Sequence, residues 1–233
     1  MERITAFQRA DVRVNEFVRS VYNWMCMGLA VTGLMAWYVS NSETILQMVF
    51  GNRMVFWVLV IAELGLVFSI SGMVNKMSGA TATALFILYS ALNGVTLSVI
   101  FIAFTKASIA SAFFICALTF LACSIYGWTT KKDLTSVGNF MFMGLIGIII
   151  ASVVNIFMKS PAISFIISYV GVVVFVGLTA YDTQKIKQMA ITQPADLDGD
   201  VVRKGAIMGA LSLYLDFINL FLMLLRIFGG SRD

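Results

Sequence analysis

Seven apolar runs follow one another along the chain, at 21–39, 54–71, 81–104, 109–128, 137–158, 163–181 and 206–228. Each is close to the roughly 20 residues that an α-helix needs to cross a bilayer, so the pattern predicts seven membrane-spanning helices. The breaks between them are short and carry turn residues: Gly51-Asn52, Ser78-Gly79, Lys131-Lys132-Asp133 and Ser160-Pro161. The one long connection follows the sixth run and holds Asp196, Asp198 and Asp200, then Arg203 and Lys204. Residues 1–20 differ. They carry Arg3, Arg9, Arg13 and Arg19, with Phe7, Val14, Val18 and Val21 at roughly helical spacing, which predicts an amphipathic helix lying on the membrane surface. The charged stretch is too long for a signal peptide, and no small-residue cleavage site follows it. The expected organisation is all-α: a cytoplasmic N-terminal segment, 1–20, and a single seven-span membrane domain, 21–233.

Polar residues inside the spans point to chemistry. In the last span, Ser212, Asp216, Asn219, Met223 and Arg226 recur at intervals of four, three, four and three, which puts them on one helical face. An acid at the centre of a spanning helix costs about 2.5–3.5 kcal/mol on insertion scales, so this face turns to protein or water and is a candidate functional site. Glu63, near the middle of the second span, needs the same shelter. It either hydrogen-bonds another helix, with Asn93, Asn155 or Asn219 as partner, or lines an ion or proton path. Asp182 closes the sixth span, and Gly199 lies midway between it and Asp216. If spans six and seven form an antiparallel hairpin turning there, with helix extending equally on both sides, the two carboxylates reach similar depth. Two carboxylates that meet in a low-dielectric space do not comfortably both ionise, and they can share one proton. Deprotonated, they offer hard oxygen ligands suited to Ca²⁺. Asp182 and Asp216 are therefore a candidate pH sensor, ion gate and Ca²⁺ site, with Glu63, Asn219 and Ser212 as candidates for the ion pathway. Small residues at Ser90, Gly94 and Ser98, and at Gly205 and Gly209, would let helices approach closely.

Composition agrees with this pattern: 60% hydrophobic and 12% charged residues, with a mean hydropathy of +0.91, lie far outside the soluble globular range. With the N-terminus cytoplasmic, eleven of the 16 lysines and arginines fall on inside segments and five (Arg53, Lys106, Lys159, Arg226 and Arg232) outside. The positive-inside rule then puts the N-terminus in and, with seven spans, the C-terminus out; a six-span version with a re-entrant last segment would leave both ends inside. The net charge of +4 follows from this topology and implies no nucleic-acid partner. The chain has no histidine, which excludes His-ligated metals and Ser-His-Asp catalysis. Any pH response near neutrality must come from carboxyl groups held protonated by their surroundings. Cys26, Cys116 and Cys123 are odd in number, form no CxxC and sit in apolar runs, so they read as buried small hydrophobes. The run from Asp196 fails as an EF-hand, because Val201 follows Asp200 and Ile207 stands at the twelfth position; it reads as a solvated acidic turn.

The stretch 210–221, Ala-Leu-Ser-Leu-Tyr-Leu-Asp-Phe-Ile-Asn-Leu-Phe, and Leu-Arg-Ile-Phe-Gly at 225–229 resemble the transmembrane Bax inhibitor motif family, specifically its bacterial members. Tyr181-Asp182 with Gln-Lys-Ile-Lys at 184–187, and Glu-Leu-Gly-Leu at 63–66, support the likeness, which covers all seven spans. The resemblance implies a bundle in which six spans surround a central C-terminal helix. It also implies a calcium leak pathway of the bacterial inner membrane gated by pH, with Asp182 and Asp216 as the sensor and no cofactor beyond the transported Ca²⁺. In one kind of bacterial member an arginine near the cytoplasmic end of span two latches onto the first aspartate when closed. Val74 stands at that place here and the nearest cation is Lys76. The latch is thus absent, moved to Lys76, or supplied by another helix. Some bacterial relatives bind and restrain a membrane-bound AAA protease, which makes such a protease a candidate partner and a scaffold an alternative function.

Two other classes compete. Paired intramembrane aspartates also make aspartyl proteases, but those need Gly-x-Gly-Asp, and Leu213-Tyr-Leu-Asp216 puts bulky side chains where substrate backbone would approach. The reading is therefore non-enzymatic. A proton-coupled cation transporter, or cation/proton exchanger, would also place carboxylates inside a bundle. Discontinuous helices would favour it; the spans contain no proline and show no clear inverted repeat, which favours a leak channel.

Overall fold

The computed structural model describes residues 2–194 and 197–230, residues 2–11 by their backbone alone. Its α-helices are α1 (Glu2–Ser40), α2 (Glu43–Phe50), α3 (Arg53–Met73), α4 (Gly79–Leu97), α5 (Ile100–Ala103), α6 (Lys106–Thr129), α7 (Thr135–Met158), α8 (Pro161–Thr192) and α9 (Gly199–Phe228), and there is no strand among the described residues. Helix starts follow ordinary capping chemistry. The side chains of Asn52, Ser78 and Thr105 accept from the amides of Met54, Thr81 and Ser108 and so open α3, α4 and α6. Lys159 ends α7 in the left-handed region, with φ 52°, and Pro161 begins α8 at the one helical position where its missing N–H costs nothing.

Six stretches are long and apolar enough to cross a membrane: α3 with the 3-10 turn Val74–Lys76, α4 with α5, α6, α7, α8 and α9. Each overlaps a predicted span. The first predicted span, 21–39, is helical but is not among these six, because Asn23, Trp24, Thr32, Trp37 and Tyr38 dilute its apolarity. It is also not a separate element. The helix is unbroken from Glu2 to Ser40, so the expected boundary after residue 20 lies inside α1, and Phe17 and Val21 are buried against protein instead of facing lipid. The expected end of the sixth span moves as well. α8 continues ten residues past Asp182, because Gln184 and Lys187 anchor its extension to backbone carbonyls of Lys132 and Trp128 while Ile186 and Ala190 are buried. The third span is interrupted without proline. α4 stops at Leu97, where the Ser98 hydroxyl donates to the Val95 carbonyl at 2.7 Å and competes with the helical ladder, and α5 resumes at Ile100.

The contacts gather into two compact units. One comprises the described residues up to Ala103 with those from Ala190 to Tyr214; the other comprises Phe104 to Met189 with the described residues from Leu215 onward. In the first, α1 packs chiefly on α4, and α3 also packs on α4. Phe86 and Tyr89 meet Tyr214 edge-on, at centroid distances of 5.8 and 5.7 Å. In the second, Phe217 meets Phe113 and Phe120 in the same way, at 5.6 and 5.4 Å. α9 contributes to both and is the most buried of the six candidate spans.

Candidate functional site

Asp216 sits in the second unit, 5% exposed, beside the aromatic cluster around Phe217. Its Oδ2 has no hydrogen-bond partner among the described residues. Burial of an unpartnered polar oxygen is costly, and native structures hold few of them. Asp182, half-buried on α8 in the same unit, is close enough for the two carboxyl groups to interact electrostatically, and Lys185 is the cation beside it. The two aspartates singled out in the sequence thus lie within electrostatic range of each other. The premise of equal arms fails, however. α8 runs only ten residues beyond Asp182, whereas α9 begins seventeen residues before Asp216.

Close approaches fix the α8 segment that carries Asp182. A Cβ at Gly127 of α6 would run into the Ala180 carbonyl, and one at Gly138 of α7 would run into the Tyr181 ring. The Thr183 hydroxyl donates to Ser124 of α6 at 3.4 Å. The Gln184 amide spans the α6–α7 turn, donating to the Lys132 carbonyl and accepting from the Leu134 amide, both at 2.8 Å. Tyr181 and Gln184 entered the sequence reading only as motif residues, and Ser124, Gly127, Gly138 and Thr183 were not singled out. Glycine inside an apolar span carries no signal of which neighbour it admits.

Glu63 belongs to the first unit and to a different network. Thr96 donates to its Oε1, and Asn93 lies within reach of the carboxylate. Asn93 continues the chain, donating to Tyr89 at 3.4 Å and accepting from the Tyr214 hydroxyl at 3.3 Å. Tyr214 in turn shares a 2.6 Å hydrogen bond with Thr32, which also donates to the Ser90 carbonyl at 2.8 Å. Of the three asparagines expected as partners, Asn93 meets Glu63. Asn155 instead bonds Ser164, and Asn219 donates to the Leu215 carbonyl on its own helix. Ser212 is half-buried in the first unit.

The expected charged candidates resolve differently. Lys76 is exposed in the 3-10 turn after α3, and the one ion pair among the described residues joins Lys204 to Asp200 at 3.2 Å. Asp196 lies outside the described residues. Asp200 is more than a solvated charge: its Oδ1 accepts from the Gly79 amide at 2.7 Å and so caps α4, while Asp198 accepts from the Asp200 amide. Beside it Arg203 donates to Thr83 at 2.9 Å and stacks over Trp24. Among the described residues no group of three or more Cys, Asp or Glu side chains is placed to hold a metal.

Fold and site together define an all-helical, multi-pass membrane protein with an interacting pair of aspartates on its last two long helices. The family described as "Inhibitor of apoptosis-promoting Bax1" matches residues 14–233, and the chain belongs to this Bax inhibitor family. It is 54% identical over 216 residues to inner membrane protein YbhL of Escherichia coli strain K12, covering 93% of this chain and 92% of that one. An uncharacterized protein of Borreliella burgdorferi is 48% identical over 219 residues, with 94% of each chain covered. Protein RP147 of Rickettsia prowazekii is 44% identical over 223 residues, covering 96% and 93%.

Proposed function

We propose that the protein is a pH-sensitive calcium leak pathway, gated by proton sharing between Asp182 and Asp216. The observation that carries this reading is the buried, unpartnered Oδ2 of Asp216 with a second carboxyl group beside it. Such a pair accepts a proton or a hard cation, and little else. Ca²⁺ takes six to eight oxygens, so two carboxylates suit an ion in passage that keeps water ligands better than one held in residence. The protein sits in the inner membrane, as the name of its Escherichia coli relative supports. With the second half of α1 as the seventh span, the N-terminus is cytoplasmic and the C-terminus outside; accessibility tagging of the C-terminus tests this topology.

The functional test is calcium efflux from proteoliposomes between about pH 5 and 8, a window in which no unperturbed side chain of this histidine-free chain titrates. The wild type responds to pH, Asp216→Asn loses most of the response, and Asp182→Asn raises the leak or flattens its pH profile. A folded Asp216→Asn protein with unchanged flux and pH profile would exclude the pair as sensor.

A second reading, cation/proton exchange, is favoured by the break at Ser98–Val99, two residues beyond the Thr96 that bonds Glu63. Interrupted helices are a device of secondary transporters. An exchanger requires a proton gradient for calcium movement and a leak pathway does not, so collapsing the gradient separates the two.

A further inference from the structure

Lys159 and Arg226, two of the outside cations, converge on one cavity of about 550 Å³ in the second unit. The volume lies within the roughly 300–1,000 Å³ typical of small-ligand sites. Ser152, Asn155 and Ser164 complete its polar wall, and no carboxylate among the described residues lines it. The wall is already ordered: Asn155 donates to the Ser164 hydroxyl at 2.7 Å and accepts from the Ser160 amide at 3.0 Å. The first turn of α8, beginning at Pro161, adds the positive end of a 32-residue helix. Each cation taken singly offsets the negative end of the helix it closes, Lys159 that of α7 and Arg226 that of α9. That role does not explain why the two share a cavity with no acidic partner among the described residues.

The surroundings indicate what the counter-charge is. Ile156, which lines the cavity, is 61% exposed, and its sequence neighbour Phe157 on α7 and Phe165 and Ile166 on α8 are 81%, 52% and 62% exposed, as side chains facing acyl chains would be. We propose that this cavity binds a phosphate group, with Arg226 and Lys159 as its cationic ligands. Arg226 supplies the fork that matches phosphate oxygens, and Lys159 a point charge. The chemistry is shared by an anionic phospholipid headgroup and by free phosphate, and the lipid-facing rim matches the headgroup. Basic pockets between spanning helices are ready sites for such headgroups.

The test measures the thermal midpoint of the purified full-length protein in phosphatidylcholine nanodiscs with and without phosphatidylglycerol, and in detergent with and without inorganic phosphate. Binding to the folded state raises the midpoint. The variants are Arg226→Gln and Lys159→Asn; asparagine suits the left-handed backbone at 159. Lys106→Gln, an exposed cation that does not line the cavity, is the control. Phosphatidylglycerol stabilises the wild type and Lys106→Gln, and each cavity variant weakens the apparent affinity by about tenfold or more. A response to phosphatidylglycerol alone identifies the lipid, and an equal response to inorganic phosphate identifies the free anion; both support the site. Absence of any response, or the same response in Arg226→Gln and Lys159→Asn as in wild type, overturns it.

Discussion

Gly94→Ala tests the contact on which the first unit depends. A Cβ on Gly94 of α4 would lie 2.5 Å from the Thr32 carbonyl oxygen, 2.7 Å from Met35 Cβ and 3.1 Å from Thr32 Cα, whereas ordinary contact begins at 3.4 Å. The nearest obstacle is the backbone of α1. It cannot rotate aside as a side chain would, so the two helices must part by the difference between 2.5 and 3.4 Å, about 0.9 Å. Overpacking of this kind costs about 1–3 kcal/mol, against up to about 1 kcal/mol gained from the better helix propensity of alanine. The net loss is about 1–2 kcal/mol, which lowers the thermal midpoint of a chain this size by about 2–8 °C. The assay is tryptophan fluorescence during heating in detergent, with Gly65→Ala and Gly147→Ala as references. Nothing lies within 4 Å of a Cβ at either reference site, so both variants melt at or above the wild-type midpoint. A Gly94→Ala protein that melts with the references would refute the close approach of α1 and α4.

Two further outcomes are expected. Tyr214→Phe removes the hydroxyl that joins Thr32 to Asn93 and leaves a buried asparagine oxygen short of a donor, so stability falls by about 1–3 kcal/mol in the same melting assay; a wild-type midpoint would show that the network adds nothing. In the α6–α7 turn, two hydrogen bonds from Thr135 hold the Asp133 carboxyl below the ordinary aspartate range. A lowered folded-state value contributes stability that is present above the unfolded value and lost as pH falls through the folded one. Carbon-13 titration of Asp133 should therefore move upward in Thr135→Val, which removes the hydroxyl donor and keeps the amide, and identical curves would count against the hydroxyl bond.

The helices were legible because a span needs a long apolar run, and such a run survives any tertiary arrangement. Their ends were not. α8 outlasts its apolar run because Gln184 and Lys187 find carbonyls on the α6–α7 side, partners that no local pattern names. The break at Ser98 depends on one hydroxyl choosing its own backbone, and serine elsewhere in these spans makes similar bonds without interrupting a helix. Asp200 read as solvated because its partner, the Gly79 amide, is 121 residues away in sequence. The aspartate pair was legible for an energetic reason: a carboxylate deep in a span needs company, and few candidates exist. The equal-arm geometry used to join the two was wrong, so the cost of burial, which marks Asp216, was the better guide than loop symmetry.

Helical spacing placed Ser212, Asp216, Asn219, Met223 and Arg226 on one face and treated them as one site. Their neighbours divide them. Asn219 satisfies its own helix, Met223 packs where Gly171 of α8 leaves room, and Arg226 reaches the cavity at the α7–α8 turn. Asp216 alone is left with a buried oxygen that no partner among the described residues satisfies. Ten residues of helix separate Asp216 from Arg226, about 15 Å of rise. Because Asp216 is buried, an effective dielectric of about 20 applies, and at that distance the interaction is about 1 kcal/mol, below the 1.4 kcal/mol of a tenfold effect. The two aspartates and the cationic cavity are therefore coupled by less than a tenfold effect although one helix carries Asp216 and Arg226. A calcium-flux measurement on Asp216 and a lipid-binding measurement on Arg226 each read their own site.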